Sequence, residues 1–78
     1  MSEPSPSAGS QKALAIIRAS GHVIVDADLP VPELVTLAAA AAQWGASLTV
    51  RHAYLRSEDE LSEIAAAGRG HVTFDLAE

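Results

Sequence analysis

Two aspartates, Asp26 and Asp28, stand two residues apart in the stretch VIVDADLP. Carboxylates at the carboxyl end of a strand face the crevice in which α/β sheets bind ligands. A pair of hard oxygen donors with open positions suits Mg²⁺. On that chemistry the chain would be a Mg²⁺-dependent phosphate-binding or regulatory domain using Asp26 and Asp28. The plainer account is local, with Asp28 opening the turn that Pro30 continues. Three histidines, His22, His52 and His71, are the other titratable candidates. His22 and His71 each begin a strand, and with another strand between them they would stand about 10 Å apart, too far for one metal. No Ser-His-Asp or Cys-His arrangement can be assembled around any of them. Exposed, weakly constrained histidines are expected, with no catalytic residue, metal or cofactor.

The Asp-x-Asp pair resembles, over two residues, the metal-binding carboxylates of haloacid-dehalogenase-like phosphotransferases. Those enzymes carry Thr or Val where this chain has Pro30, and need Lys and Asp motifs on a much longer chain. The glycines do not supply a phosphate site. In AAAGRGHV and GASLTV they follow helical segments, whereas phosphates are held at helix N-termini. The acidic run SEDE is a favourable first turn for a helix dipole.

Composition narrows the remaining classes. Seventy-eight residues allow one domain, and a domain of about 60 ordered residues buries only roughly 60% of its unfolded surface. With no cysteine, neither disulfides nor a thiolate metal site can help, so self-association or a partner is expected. A net charge of −5 with five scattered Lys and Arg gives no phosphate-neutralising stripe, which argues against nucleic acid. No apolar run is long enough to span a bilayer. TLAAAAAQWG is too weakly hydrophobic and too far from the start to be a signal peptide. A cytoplasmic, bacterial protein fits best.

The elements that must position these residues read as α-β-α-β-α-β. Residues 1–9 form a Ser/Pro-rich tail without apolar periodicity, expected to be disordered, and residues 10–78 form a single α/β domain. Ser10 is a plausible N-cap for QKALAIIRAS, which ends at Gly21. A strand runs from His22 to about Asp26. The next helix has prolines at its start, Gly45 past its end, and a stripe of Leu34, Leu37, Ala38 and Ala41 at helical spacing. A second strand starts at Ser47. Ser57 and Glu60 form a capping-box pattern for a third helix with the stripe Leu61, Ile64 and Ala65, for which Gly68 is the expected residue just past the end. HVTFDL is the last strand.

The units repeat. Leu14 aligns with Leu61, Ile17 with Ile64, Gly21 with Gly68 and His22 with His71, with a longer middle unit in the same frame. Strands joined through helices run parallel with right-handed crossovers, which places the helices on one face. Alternation then turns Val23, Val25, Leu48, Val50, Val72 and Phe74 toward the helices. The other face carries His22, Ile24, Asp26, Ser47, Thr49, Arg51, His71, Thr73 and Asp75, and so is polar. A doubly wound sheet would read as continuous apolar runs instead. The fold class is therefore α/β, a three-stranded, mainly parallel sheet with helices on one face, forming a short βα-repeat, solenoid-like two-layer domain. It is similar in outline to leucine-rich repeats but lacks their Leu and Asn consensus.

Strand order stays open between 1-2-3 and 2-1-3; only the first sets Arg51 between Asp26 and Asp75. The functional expectation is a small non-catalytic interaction module. It would self-associate as a homo-oligomer, or dock on a larger protein complex, through its polar sheet face and C-terminal edge strand. His22, Asp26, Thr49, Arg51, His71, Thr73 and Asp75 are the partner-binding candidates. Ile16, opposite the apolar stripe of its helix, and Trp44 are the candidates for an apolar interface. For Trp44 the favoured alternative is that it closes the bottom of the core.

Overall fold

The computed structural model describes residues 8–78. Its elements are α1 (Ala8–Arg18), β1 (Val23–Asp26), α2 (Val31–Trp44), β2 (Leu48–Arg51), a 3₁₀ turn (Ala53–Leu55), α3 (Glu58–Gly68) and β3 (Val72–Phe74). The expected Ser/Pro-rich tail lies outside the described residues except for Ala8 and Gly9, which open α1. Ser10, expected just before the helix, consequently lies inside it.

The three strands form one parallel sheet in the order β1-β2-β3. Its rungs run Val23–Leu48–Val72, Ile24–Thr49–Thr73 and Val25–Val50–Phe74. Alternation sorts the faces as hydrophobicity demands. Leu48 and Val50 are fully buried, and Val23, Val25, Val72 and Phe74 pack against the same core. Ile24, on the opposite face, is 67% exposed. The shortest dimension of the molecule is 19 Å, room for one layer of helices about 10 Å across and one sheet.

The helices are built to lie side by side over this sheet. α2 is central and buries Leu34, Leu37, Ala38, Ala40 and Ala41; its alanines allow α1 and α3 to approach closely from either side. Ile17 of α1 and Ile64 of α3 complete the core with no exposure. Each such fully buried aliphatic side chain is worth about 1.5–3 kcal/mol.

The ends follow from local chemistry. α2 starts at a proline-bearing turn and stops at Gly45, in the left-handed region at φ 69°, whose N–H bonds Ala41 O. α3 starts with the expected capping box: Ser57 Oγ accepts from Glu60 N, and the Glu60 carboxylate accepts from Ser57 N. Its end differs from expectation, because Gly68 is still helical and the left-handed positions are Arg69 (φ 49°) and Gly70 (φ 91°). Gly68 is glycine for a steric reason. A Cβ there would collide with Cγ2 of Val72 and touch Ala38 at 3.5 Å. The end of α1 likewise falls at Arg18, short of Gly21, with Ser20 left-handed at φ 64°. Gly21 N–H bonds Ile16 O and Ser20 N–H bonds Ile17 O, the paired bonds of a Schellman stop.

Candidate functional site

Among the described residues, parallel pairing leaves two open edges, and the backbone hydrogen bonds show which groups they present. Val23 N–H bonds Ser47 O and Ala27 N–H bonds Arg51 O, so these alternate residues of β1 address β2. Ile24 and Asp26 between them address the outer side. On β3, Asp75 N–H bonds Val50 O and Leu48 N–H bonds His71 O. By the same parity Val72, Phe74 and Leu76 present their backbone groups outward. β2 is covered on both sides; the core-facing residues Val23, Val25, Val72 and Phe74 of β1 and β3 are only half-buried.

The outer side of β1 is a groove of about 390 Å³. Its wall on the helix side is Lys12 and Ile16 of α1, and its sheet side is the β1 edge from Val23 to Asp26, with Asp28 and Leu29 at one end. Ile16 is 47% exposed here. Ile24 was legible as a residue of the open face, yet its role at an apolar edge was not singled out from the sequence. The signal was present: it is the one aliphatic residue among the polar residues of that face.

At the carboxyl ends of the strands the chain makes a compact polar cluster. His52, held in the left-handed region at φ 59°, sets Nδ1 2.7 Å from Asp26 Oδ2. An ionised carboxylate only accepts, so Nδ1 carries the proton and donates. Asp28 N–H donates to the other oxygen, Oδ1, at 3.1 Å. The hydrogen bond from His52, followed by that from Asp28 N–H, holds the Asp26 carboxyl below its ordinary value against the opposing effect of burial, with still weaker help from the charges of His52 and Arg51. The Tyr54 ring stands edge-on to His52 with centroids 6.3 Å apart. Arg56 closes the cluster: Nε donates to Ala27 O at 2.8 Å and Nη2 to Leu29 O at 2.6 Å. This guanidinium clamp fixes the loop after β1 and was invisible in the sequence, because it joins residues 27 to 29 positions apart through a turn of unpredicted shape.

The individual expectations fare differently. Strand order 1-2-3 does set Arg51 beside Asp26, yet among the described residues no ion pair joins Arg51 to Asp26 or Asp75. Asp26 pairs with His52 instead, and Asp75 Oδ1 accepts from Ala77 N–H at 3.0 Å. His52 and His71 are not weakly constrained. His71 donates Nδ1–H to Ala46 O at 2.9 Å and is half-buried, leaving His22 as the exposed one. Thr49 is half-buried and Thr73 exposed on the same rung of the open face. Trp44 does not close the core: it is 44% exposed, and its carbonyl accepts from Ser20 Oγ at 2.8 Å. Trp44 lies over a separate groove between α1 and α2, with Leu14 and Val35, so Ile16 and Trp44 do not share one apolar patch.

The cluster offers limited chemistry. Both oxygens of Asp26 are engaged by the chain itself, and the described residues gather no group of three His, Cys, Asp or Glu that could hold a metal ion. The Asp26–His52 pair has a base and an orienting carboxylate but no nucleophile within its described hydrogen bonds. Among the described residues no helix is long and apolar enough to cross a membrane. Comparison with known proteins gives no match to a family model, a curated protein or a solved structure.

Proposed function

We propose that the protein is a small non-catalytic assembly module that associates by extending its sheet, in the first place with a second copy of itself, through the edge strand β3 and the open face beside it. One observation carries this reading. β2 buries Leu48 and Val50 completely, while Val72 and Phe74 of β3 stay half-exposed beside outward-facing backbone groups. An edge of that kind is a template for another strand. Thr73, Asp75 and Arg51 on the open face supply polar contacts around the joint, which favour correct partners more than they add affinity.

Light scattering and native mass spectrometry at micromolar concentration test the proposal. The expected result is a concentration-dependent species heavier than the 8.1 kDa chain, with slow amide exchange at Val72 and Phe74 in the associated form. A monomer at every concentration, with those amides exchanging rapidly, overturns self-association and leaves docking on a larger complex as the remaining form. The proposal includes a cytoplasmic setting, checked by fractionation of cells expressing the tagged chain.

A further inference from the structure

We infer that the two open edges of this sheet are complementary to one another, so that β3 of one copy seats in the groove beneath α1 of the next, parallel to β1. The inference rests on the self-association proposed above and specifies its geometry. A right-handed crossover sets α2 over β1 and β2, and α3 over β2 and β3. α1 precedes β1 and packs on its outer side. Its Ala13 and Ile17 face the core, while Lys12 and Ile16 overhang a groove in which no strand runs among the described residues. At the far side of the sheet the situation is reversed. β3 has an outer edge with no helix above it among the described residues, flanked by Leu76 at 59% exposure. Among the described residues, one edge is a roof without a strand and the other a strand without a roof.

The internal register fixes what the joint contains. Continuing the rungs sets Val72 of the second copy beside Val23, Thr73 beside Ile24 and Phe74 beside Val25. Phe74 then enters the groove under Ile16, and Leu76 faces the same side, toward Leu29. Two exposed large apolar residues on the helix side, Ile16 and Leu76, are covered by one contact, while Thr73 of the second copy flanks Ile24 on the open face. The charges at its end are mixed. Asp75 of the second copy arrives level with Asp26, an unfavourable rung, while Lys12 on the groove wall and Arg51 next to Asp26 supply the opposite sign. Pairing two β1 edges or two β3 edges about a twofold axis would leave the other pair of edges open. A head-to-tail contact uses both and propagates into a ring or an open filament.

Two edge-blocked variants test this. Proline is tolerated on an edge strand where the N–H faces outward, which holds for Ile24 and Leu76 by the ladder parity above. Ile24→Pro blocks the groove edge and keeps β3; Leu76→Pro blocks the β3 edge and keeps the groove. The expected result is that wild type associates, each variant alone is monomeric, and their equimolar mixture forms a heterodimer and nothing larger. If Ile24→Pro alone still dimerises, the joint is β3 to β3; if Leu76→Pro alone does, it is β1 to β1. Either result overturns the head-to-tail contact and leaves self-association standing. A monomeric wild type overturns both. Circular dichroism checks the fold, and Ile24→Lys with Leu76→Lys repeats the test should proline unfold the domain. Single-cysteine chains give a second reading, since the protein has no cysteine of its own. Ile24→Cys mixed with Thr73→Cys should oxidise to a mixed disulfide, because the two positions are neighbours about 4.8 Å apart only across the joint. Homodimeric disulfides alone overturn the register.

Discussion

His52 Nδ1 lies 2.7 Å from Asp26 Oδ2 and joins the carboxyl ends of β1 and β2, Asp26 from their last shared rung and His52 one residue past it. The contact lowers the Asp26 carboxyl from its ordinary value of 3.8. A depressed carboxylate stabilises the fold above its unfolded-state value, and that contribution is lost as pH falls through the lower folded-state value. Carbon-detected NMR titration should therefore place the Asp26 inflection below 3.8 in wild type and move it upward in His52→Ala. Asp26→Asn, which keeps an acceptor for His52 but no charge, should flatten the acid limb of melting temperature against pH. The side chains are 40% and 43% exposed, so the effect on stability is small. An inflection unmoved by His52→Ala would mean that the bond does not persist in solution.

The Arg56 clamp should matter more. Two carbonyls of the loop after β1 depend on one planar side chain, whose guanidinium also approaches Glu60 at 3.6 Å. Hydrogen bonds to charged groups are worth about 1.5–3 kcal/mol, and lysine cannot span both acceptors. Arg56→Lys should cost roughly 1–2 kcal/mol in urea unfolding and speed amide exchange from Ala27 to Leu29. Full retention of stability in Arg56→Lys would show that one carbonyl, or neither, needs the fork.

Gly68 tests packing against propensity. Alanine is about 1 kcal/mol better than glycine inside a helix, so propensity alone predicts a stabilised Gly68→Ala. Its Cβ would collide with the Val72 side chain, and overpacking a core costs about 1–3 kcal/mol. Packing should win, with a lowered denaturation midpoint and an unchanged slope. Gly45→Ala is the contrast: beyond its chain neighbours no atom lies within 4 Å of its Cβ, and any loss there, about 1 kcal/mol, comes from the left-handed backbone alone.

Periodicity made most of the fold readable. Alternation in Val23–Asp26, Leu48–Arg51 and Val72–Phe74 assigned each residue to its face, and Ser57 with Glu60 marked the start of α3 correctly. Strand order was not readable, since α-β-α-β-α-β is compatible with more than one neighbour for β1. Helix ends at Arg18 and Gly68 slipped because Ser20 and Arg69, neither a glycine, adopt the left-handed stops. The polar cluster escaped for the same reason. Its geometry depends on His52 in a conformation uncommon for a side-chain-bearing residue, and on the 3₁₀ turn Ala53–Leu55, which periodicity does not mark. Only with that turn in place do Asp26, His52 and Arg56 meet.

Trp44 gives the last prediction. It is the one tryptophan in the chain, on the final turn of α2, where the alanine-rich surface leaves its ring over a shallow groove and not inside the core. Removing a buried tryptophan costs about 3–5 kcal/mol; a ring 44% exposed has less contact to lose, and Trp44→Ala should cost roughly half of that or less. Its emission should already be red-shifted in the native state and quenched by acrylamide, changing little on unfolding. The head-to-tail joint lies along β1 and β3, away from the Trp44 groove, so dilution should leave the emission unchanged while light scattering reports dissociation. A blue shift that grows with concentration would move the association surface to the α1–α2 groove and away from the sheet edges.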